Sequence, residues 1–227
     1  MEDAVHTVFE IGNVPVTNVV IMMWIAMAII ILWAFLATRK MKEVPSGLQH
    51  TAEIVIEFLN NLVGGMMGKD SKKFVPYIGT VALFLAVSNT IGALFMGELT
   101  NGIIAPPTRT LGVPVALALM TIILAIGAGI CKNGPKAFLK KLFKPFPFML
   151  PFNLLEYITK PLSLSMRLFG NIFGAYILME LLITSFPIAF PSIACLYFDL
   201  FDGLLQAYVF VLLTSIYVSE EYNLEEE

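Results

Sequence analysis

The sequence predicts an all-α integral membrane protein: five transmembrane helices plus one in-plane amphipathic helix, with the last two spans forming a long tilted hairpin. Three observations carry that expectation. Of the 227 residues 58% are hydrophobic and only 14% charged, a composition suited to lipid rather than to a soluble core. Apolar runs of about 20 residues recur, the length needed to cross a hydrocarbon core. Lys and Arg are gathered into the connections between those runs. The net charge of −3 therefore says little as a bulk value. No basic stripe with interleaved aromatics is present, so a nucleic-acid partner is not implied. No repeat or low-complexity tract divides the chain, which reads as a single membrane domain over 1–227.

The amino end, Met1 to Asn18, carries Glu2, Asp3, His6 and Glu10. With no basic region before the first apolar run, it argues against a cleaved signal peptide. The first span covers about 19–38 and contains Trp24 and Trp33 but no charge. The stretch 45–68 differs in kind. Val55, Phe58, Leu59, Leu62, Val63 and Met66 keep a helical period, while Glu53, Glu57, Asn60 and Asn61 fill the other faces. It is amphipathic and is expected to lie in the interface. Gly64, Gly65 and Gly68 mark its end, and no phosphate-loop pattern accompanies them.

The second span is expected at 74–97, with Ser88 and Asn89 inside it, and the third at 110–131. Pro106 and Pro107 lie in the connection between them. Lys132, Lys136, Lys140, Lys141 and Lys144 then fall in one loop. The fourth span, 153–186, is longer than a perpendicular crossing needs and contains Pro161, so it is expected to lean strongly. Pro187 and Pro191 make the last turn, and the fifth span returns over 192–218 before a tail rich in Glu. The loop after span one holds six basic residues and that after span three holds five. The connection after span two holds one, Arg109, and the amino end none. The positive-inside rule then puts the N-terminus outside and the C-terminus in the cytoplasm. Cys131 and Cys195 sit in different apolar segments and read as small buried residues.

One residue dominates the fourth span. Arg167 lies in a long apolar segment, and no Lys or Arg follows it. An intramembrane arginine costs about 2.5–3.5 kcal/mol even on the lenient insertion scale, and it keeps its proton. At 100° per residue, Ser163, Arg167, Gly170, Asn171 and Gly174 share one stripe, small or polar apart from the arginine. Small residues admit a close neighbour. Two readings stand: a permanent cation held against a partner surface, or a structural arginine paired with a carboxylate of its own chain.

The run Lys160-Pro161-Leu162-Ser163-Leu164-Ser165-Met166-Arg167-Leu168-Phe169-Gly170-Asn171 resembles the signature of the a subunit of F-type ATP synthases (F0 sector, ATPase subunit 6 family). Phe84 to Leu94, the Pro106-Pro107-Thr108 turn and Leu205 to Phe210 resemble the same family in the same order. The resemblance implies a non-catalytic stator subunit of the rotary ATP synthase, in a bacterial cytoplasmic membrane. It would offer two half-channels to the carboxyls of a c-subunit ring, separated by Arg167. It further implies a b-subunit stalk and other synthase subunits as partners, besides the bilayer, with no cofactor and no metal. Whether the ion is a proton or sodium is left open.

The remaining intramembrane polar groups suggest a path. Glu180 lies thirteen residues beyond Arg167, roughly 20 Å along the helix and turned about 140° away. Tyr176 precedes Glu180 by one turn on that other stripe. On the last span Asp199, Asp202 and Gln206, at i, i+3 and i+7, are expected on one face. A water-filled route from outside would be lined by Glu180, Asp199 and Asp202, with Gln206 and Asn171 placing the arginine or water. The plainer alternative leaves those acids solvated in the headgroup region. The sequence departs from the family at two places. Tyr176 stands where the family often has Glu or His, and Asp199 where some members have His. Glu180 is then the candidate for the missing acid, with Asp199 as its partner. A stand-alone channel or transporter is the alternative function. An intramembrane protease is disfavoured, because HExxH is absent, both aspartates share one helix, and neither histidine lies in a span.

Overall fold

In the computed structural model the described residues are 7–11, 14–39, 41–94, 106–143, 148, 150–185 and 198–223. The first described element is a β-ribbon, which the apolar pattern does not predict. Strands β1 (Thr7–Ile11) and β2 (Val14–Thr17) pair antiparallel, with Phe9 opposite Val16 and Ile11 opposite Val14. Thr7, Val8, Val14, Val16 and Thr17 are β-branched, a composition that suits an extended ribbon. Pro15 is tolerated because a two-stranded ribbon has a free edge on each strand.

Helix α1 (Asn18–Thr38) carries no charge. Ile31, Leu32 and Phe35 are among its many exposed large side chains, whereas Met22 and Ala26 face inward. A helix apolar all round and mostly uncovered by its own chain suits lipid. α2 (Leu48–Met67) is bounded by Gly47 and Gly68, both at positive φ. Its apolar face is covered in part: Leu59, Val63 and Met67 are buried against Phe74, Ile78, Val211 and Val218, whereas Ile54, Phe58 and Met66 stay exposed. It lies alongside the last helix, with the Phe58 ring near Tyr208 and Ser219 Oγ donating to the Met66 carbonyl. A 3-10 turn (Gly68–Lys73) leads into α3 (Val75–Leu94).

After the 3-10 turn Pro107–Arg109, α4 (Gly112–Leu142) runs well past the Cys131 limit expected for the third span. The helix breaks at Gly134, where φ is 81°, and resumes through Pro135. Proline is well placed to restart a helix, since the N–H it lacks has no partner there anyway. Lys136, Lys140 and Lys141 are therefore helical rather than in a loop. α5 (Leu150–Ser185) is a single helix of 36 residues through Pro161. At 1.5 Å per residue it is about 54 Å long. Asn153 Nδ2 donates to the Leu142 carbonyl at 2.9 Å and so closes the end of α4. A π turn (Phe198–Asp202) opens into α6 (Gly203–Tyr222). Glu220 and Glu221, which the sequence reading left in the tail, belong to the last turn of α6. The expected turn at Pro187 and Pro191, Cys195 and the last acidic residues lie outside the described residues.

Among the described residues, three helical stretches are long and apolar enough to cross a membrane by length and composition: Asn18–Thr38, Gly112–Phe143 and Leu200–Tyr222; Val75–Ile91 is apolar but shorter. Inside the bundle, Val81, Leu85, Ala118, Leu164, Leu168, Ala207 and Phe210 join α3, α4, α5 and α6. Polar side chains are buried too, among them Ser88, Asn89, Thr121, Gln206 and Ser215. Close approach is literal at two glycines. A Cβ on Gly203 would stand 2.8 Å from Asn89 Cβ, and one on Gly129 would stand 2.7 Å from the Glu221 carbonyl oxygen. Only glycine permits backbones to meet at those places. Both basic segments reach the end of α6: Lys73 Nζ is 2.9 Å from Tyr222 Oη, and Lys132 Nζ is 3.1 Å from Asn223 Oδ1. The basic turn before α3 and the basic end of α4 thus share one side with the C-terminal end of α6.

Candidate functional site

α5 divides cleanly by face. Leu164 and Leu168 are fully buried against α3, α4 and α6, whereas Ser163, Arg167, Gly170, Asn171 and Gly174 are all exposed. The burial of leucines at 164 and 168 rotates the helix so that the small-residue stripe points away from the bundle. Among the described residues, Arg167 has no hydrogen bond or ion pair. No described carboxylate of the chain neutralises it. The Phe169 and Phe173 rings stack beside the stripe, with centroids 5.3 Å apart.

One turn beyond the arginine, Asn171 Nδ2 donates to Gln206 Oε1 at 2.8 Å. Gln206 is 2% exposed, and its Nε2 has no partner among the described residues. This bond fixes α6 beside α5 at the level of Arg167. The chain segment that enters α6 is not an ordinary helix, because Asp199 and Asp202 both lie in the π turn Phe198–Asp202. A π turn carries more residues than an α turn. The i, i+3 spacing of Asp199 and Asp202 thus falls on backbone that is not α-helical, and the face they were expected to share lies outside what the described side chains reach. Asp202 is partly exposed and does have an interaction partner. The side chains of Glu180 and Asp199 lie outside the described residues, and so does their expected pairing.

The model for the ATP synthase A chain family matches residues 20–219. The chain is also 35% identical over 212 residues to ATP synthase subunit a of Moorella thermoacetica, covering 93% of this chain and 94% of that one. It belongs to the ATP synthase A chain family. The family match runs from α1 to the penultimate turn of α6 and takes in Arg167, Asn171, Tyr176, Glu180, Asp199, Asp202 and Gln206. Glu220 and Glu221 fall just beyond it.

The structure brings one further residue beside the candidate site. Arg109 Cζ stands 3.4 Å from the centroid of the Tyr176 ring, a stacked cation–π contact. Its place is set from behind. Thr108, fully buried, donates through Oγ1 to Asn89 Oδ1 at 2.8 Å, and Asn89 Nδ2 donates to the Gly203 carbonyl at 3.3 Å. The short turn is thereby fastened to α3 and to the first residue of α6, and Arg109 projects from it onto α5. Tyr176 lies nine residues past Arg167, about 13.5 Å along the helix. The sequence signal was present: Arg109 is the lone basic residue of its connection, and a tyrosine occupies the position where the family often has a charged group.

Proposed function

We propose that this chain is the ion-translocating stator subunit of the membrane sector of a rotary ATP synthase. The reading has no catalytic site in this chain; the chemistry is performed elsewhere in the complex. Arg167 separates two half-channels that serve the carboxyls of a rotating c-subunit ring, and the stripe around it is the face the ring passes. The observation that carries this is the exposed guanidinium, without a partner among the described residues, on a row of small residues. A charge left uncompensated in an apolar segment demands a partner, and glycines beside it allow a helix to come close. A fixed cation favours the ionised form of a nearby carboxyl, so a ring carboxyl releases its ion on reaching Arg167. The guanidinium keeps its own proton and so blocks a direct leak between the two paths. Each charge moved across the membrane gains about 2.3 kcal/mol per 100 mV, which drives the rotation.

In this reading α1, α3, α4, α5 and α6 are the five spans, and α2 lies at the interface alongside a strongly inclined α6. The length of α5, about 54 Å against a hydrocarbon thickness of about 30 Å, supports that inclination. The outer path is lined by Tyr176, Glu180, Asp199 and Asp202, and Gln206 and Asn171 hold its inner end beside Arg167. The basic segments and the C-terminal end of α6 face the cytoplasm of a bacterial cell and the N-terminus faces outward. The b-subunit stalk is a further partner. Cysteine cross-linking in the assembled complex tests the orientation. Ser163→Cys and Gly170→Cys should form disulfides with cysteines placed along the outer helix of the ring, and Ile158→Cys should not. Equal cross-linking from all three positions would contradict it.

A further inference from the structure

The C-terminal end of α6 gathers the densest set of charges among the described residues. Glu220 and Glu221 are consecutive, so their side chains leave the helix about 100° apart; they share Lys141, whose Nζ is 3.5 Å from Glu220 and 2.9 Å from Glu221, and otherwise reach different neighbours. Glu220 holds Lys160 of α5, with both carboxylate oxygens 2.8 Å from Nζ. Lys160 is also 2.9 Å from Glu156, one turn earlier on α5. Glu221 turns to α4 and the other side of α5: its Oε1 accepts from Lys141 Nζ and from Tyr157 Oη, each at 2.9 Å. Glu221 is 2% exposed, and the Lys160 side chain 11%. Ion pairs withdrawn from water are screened far less than surface pairs, and removing one partner leaves the other charge uncompensated.

Lys160 precedes Arg167 by seven residues, two turns or about 10.5 Å along α5, on the same stripe. The stripe therefore carries two cations in opposite states. Arg167 has no described partner, whereas Lys160 is held by two carboxylates. An uncompensated Lys160 would favour ionisation of a passing carboxyl at a second point, short of Arg167, and would blur the place where the ion is released. We propose that Glu156 and Glu220 are positioning residues that cancel the charge of Lys160, so that the stripe offers one uncompensated cation to the ring. Glu221, anchored on Lys141 and Tyr157, keeps the end of α6 in register for that task. This rests on the role given to Arg167 above.

The whole synthase, in inverted membrane vesicles, provides the test. ATP-driven ion pumping is divided by ATP hydrolysis at equal amounts of assembled chain. Stripping Lys160 of both carboxylates (Glu156→Gln with Glu220→Gln) should lower that ratio about threefold or more, because a largely buried charge is left unpaired. Glu220→Asp should keep it near wild type. Adding Lys160→Gln to the double variant should restore most of the loss, since no stray cation then remains. A simple helix anchor gives the reverse order, with the triple variant worst. If the double variant fails to assemble, Glu220→Gln alone, with and without Lys160→Gln, decides on the same readout. An unchanged ratio, or a triple variant below the double, overturns the proposal. Arg167→Ala is measured in the same set. Pumping by that variant refutes the role of Arg167 itself, whereas its silence alongside unaffected carboxylate variants refutes only the charge cancellation.

Discussion

Arg109→Ala should loosen the turn that joins α3 to α4 without unfolding the bundle. The guanidinium stacks on Tyr176 at 3.4 Å and is partly withdrawn from solvent. That places the contact between the exposed and desolvated cases, at about 1–2 kcal/mol. Its loss should raise the open population of the turn by about 5–30-fold. The backbone supplies the reporter, because Arg109 N donates to the Pro106 carbonyl and Thr110 N to the Pro107 carbonyl. Hydrogen exchange of the peptide over 106–113 should accelerate by that factor in Arg109→Ala and equally in Tyr176→Leu. Tyr176→Phe, which keeps the ring face, should exchange like wild type. If Arg109→Ala and Tyr176→Leu both leave exchange unchanged, the stack contributes nothing, and Thr108 and Asn89 alone hold the turn.

Asn171→Ala removes the partner of a side chain that is 2% exposed and leaves Gln206 Oε1 without its donor. A buried group orphaned in this way costs about 1–3 kcal/mol, so the complex should lose this subunit at a lower temperature. Gln206→Leu in the same chain should recover much of that stability without recovering ion transport. Where the turn 68–73 meets the end of α6, the hydrogen bond from Lys73 holds the Asp70 carboxyl below its usual range, and bonds to Tyr222 Oη and Asp70 push the Lys73 ammonium above its own. The Asp70 contribution is present above about pH 4 and lost as the pH falls further; the Lys73 contribution is present below about pH 10 and lost only on strong alkalinisation. Hydrogen exchange in the turn 68–73 should therefore be free of any Asp70 or Lys73 titration from pH 5 to 9, and Asp70→Asn should abolish the acid-side loosening.

What the sequence made legible was what local pattern controls. The charge-free run of α1, the amphipathic period of α2 and the stripe around Arg167 all follow from spacing along one helix, and each appears where spacing puts it. The features missed depend on distance or on backbone detail. Residues 132–142 read as a loop because lysines cluster there, yet Gly134 and Pro135 only interrupt the helix. Glu220 and Glu221 read as tail because acids at a chain end are ordinarily solvated, and their lysines lie 60 and 80 residues away. The ribbon of β1 and β2 is too short and too near the end to stand out against the apolar runs that follow. Arg109 was visible, but its ring partner is known only once α5 is laid against the turn.

In the proposed function Arg167 is the cation a passing carboxyl must meet. ATP-driven ion transport by the assembled synthase carrying Arg167→Ala tests it most directly. The account predicts no coupled transport, with the subunit present in the complex at its normal amount, and poor transport in Arg167→Lys, whose compact ammonium replaces a wide planar cation. Full coupled transport by Arg167→Ala would contradict it.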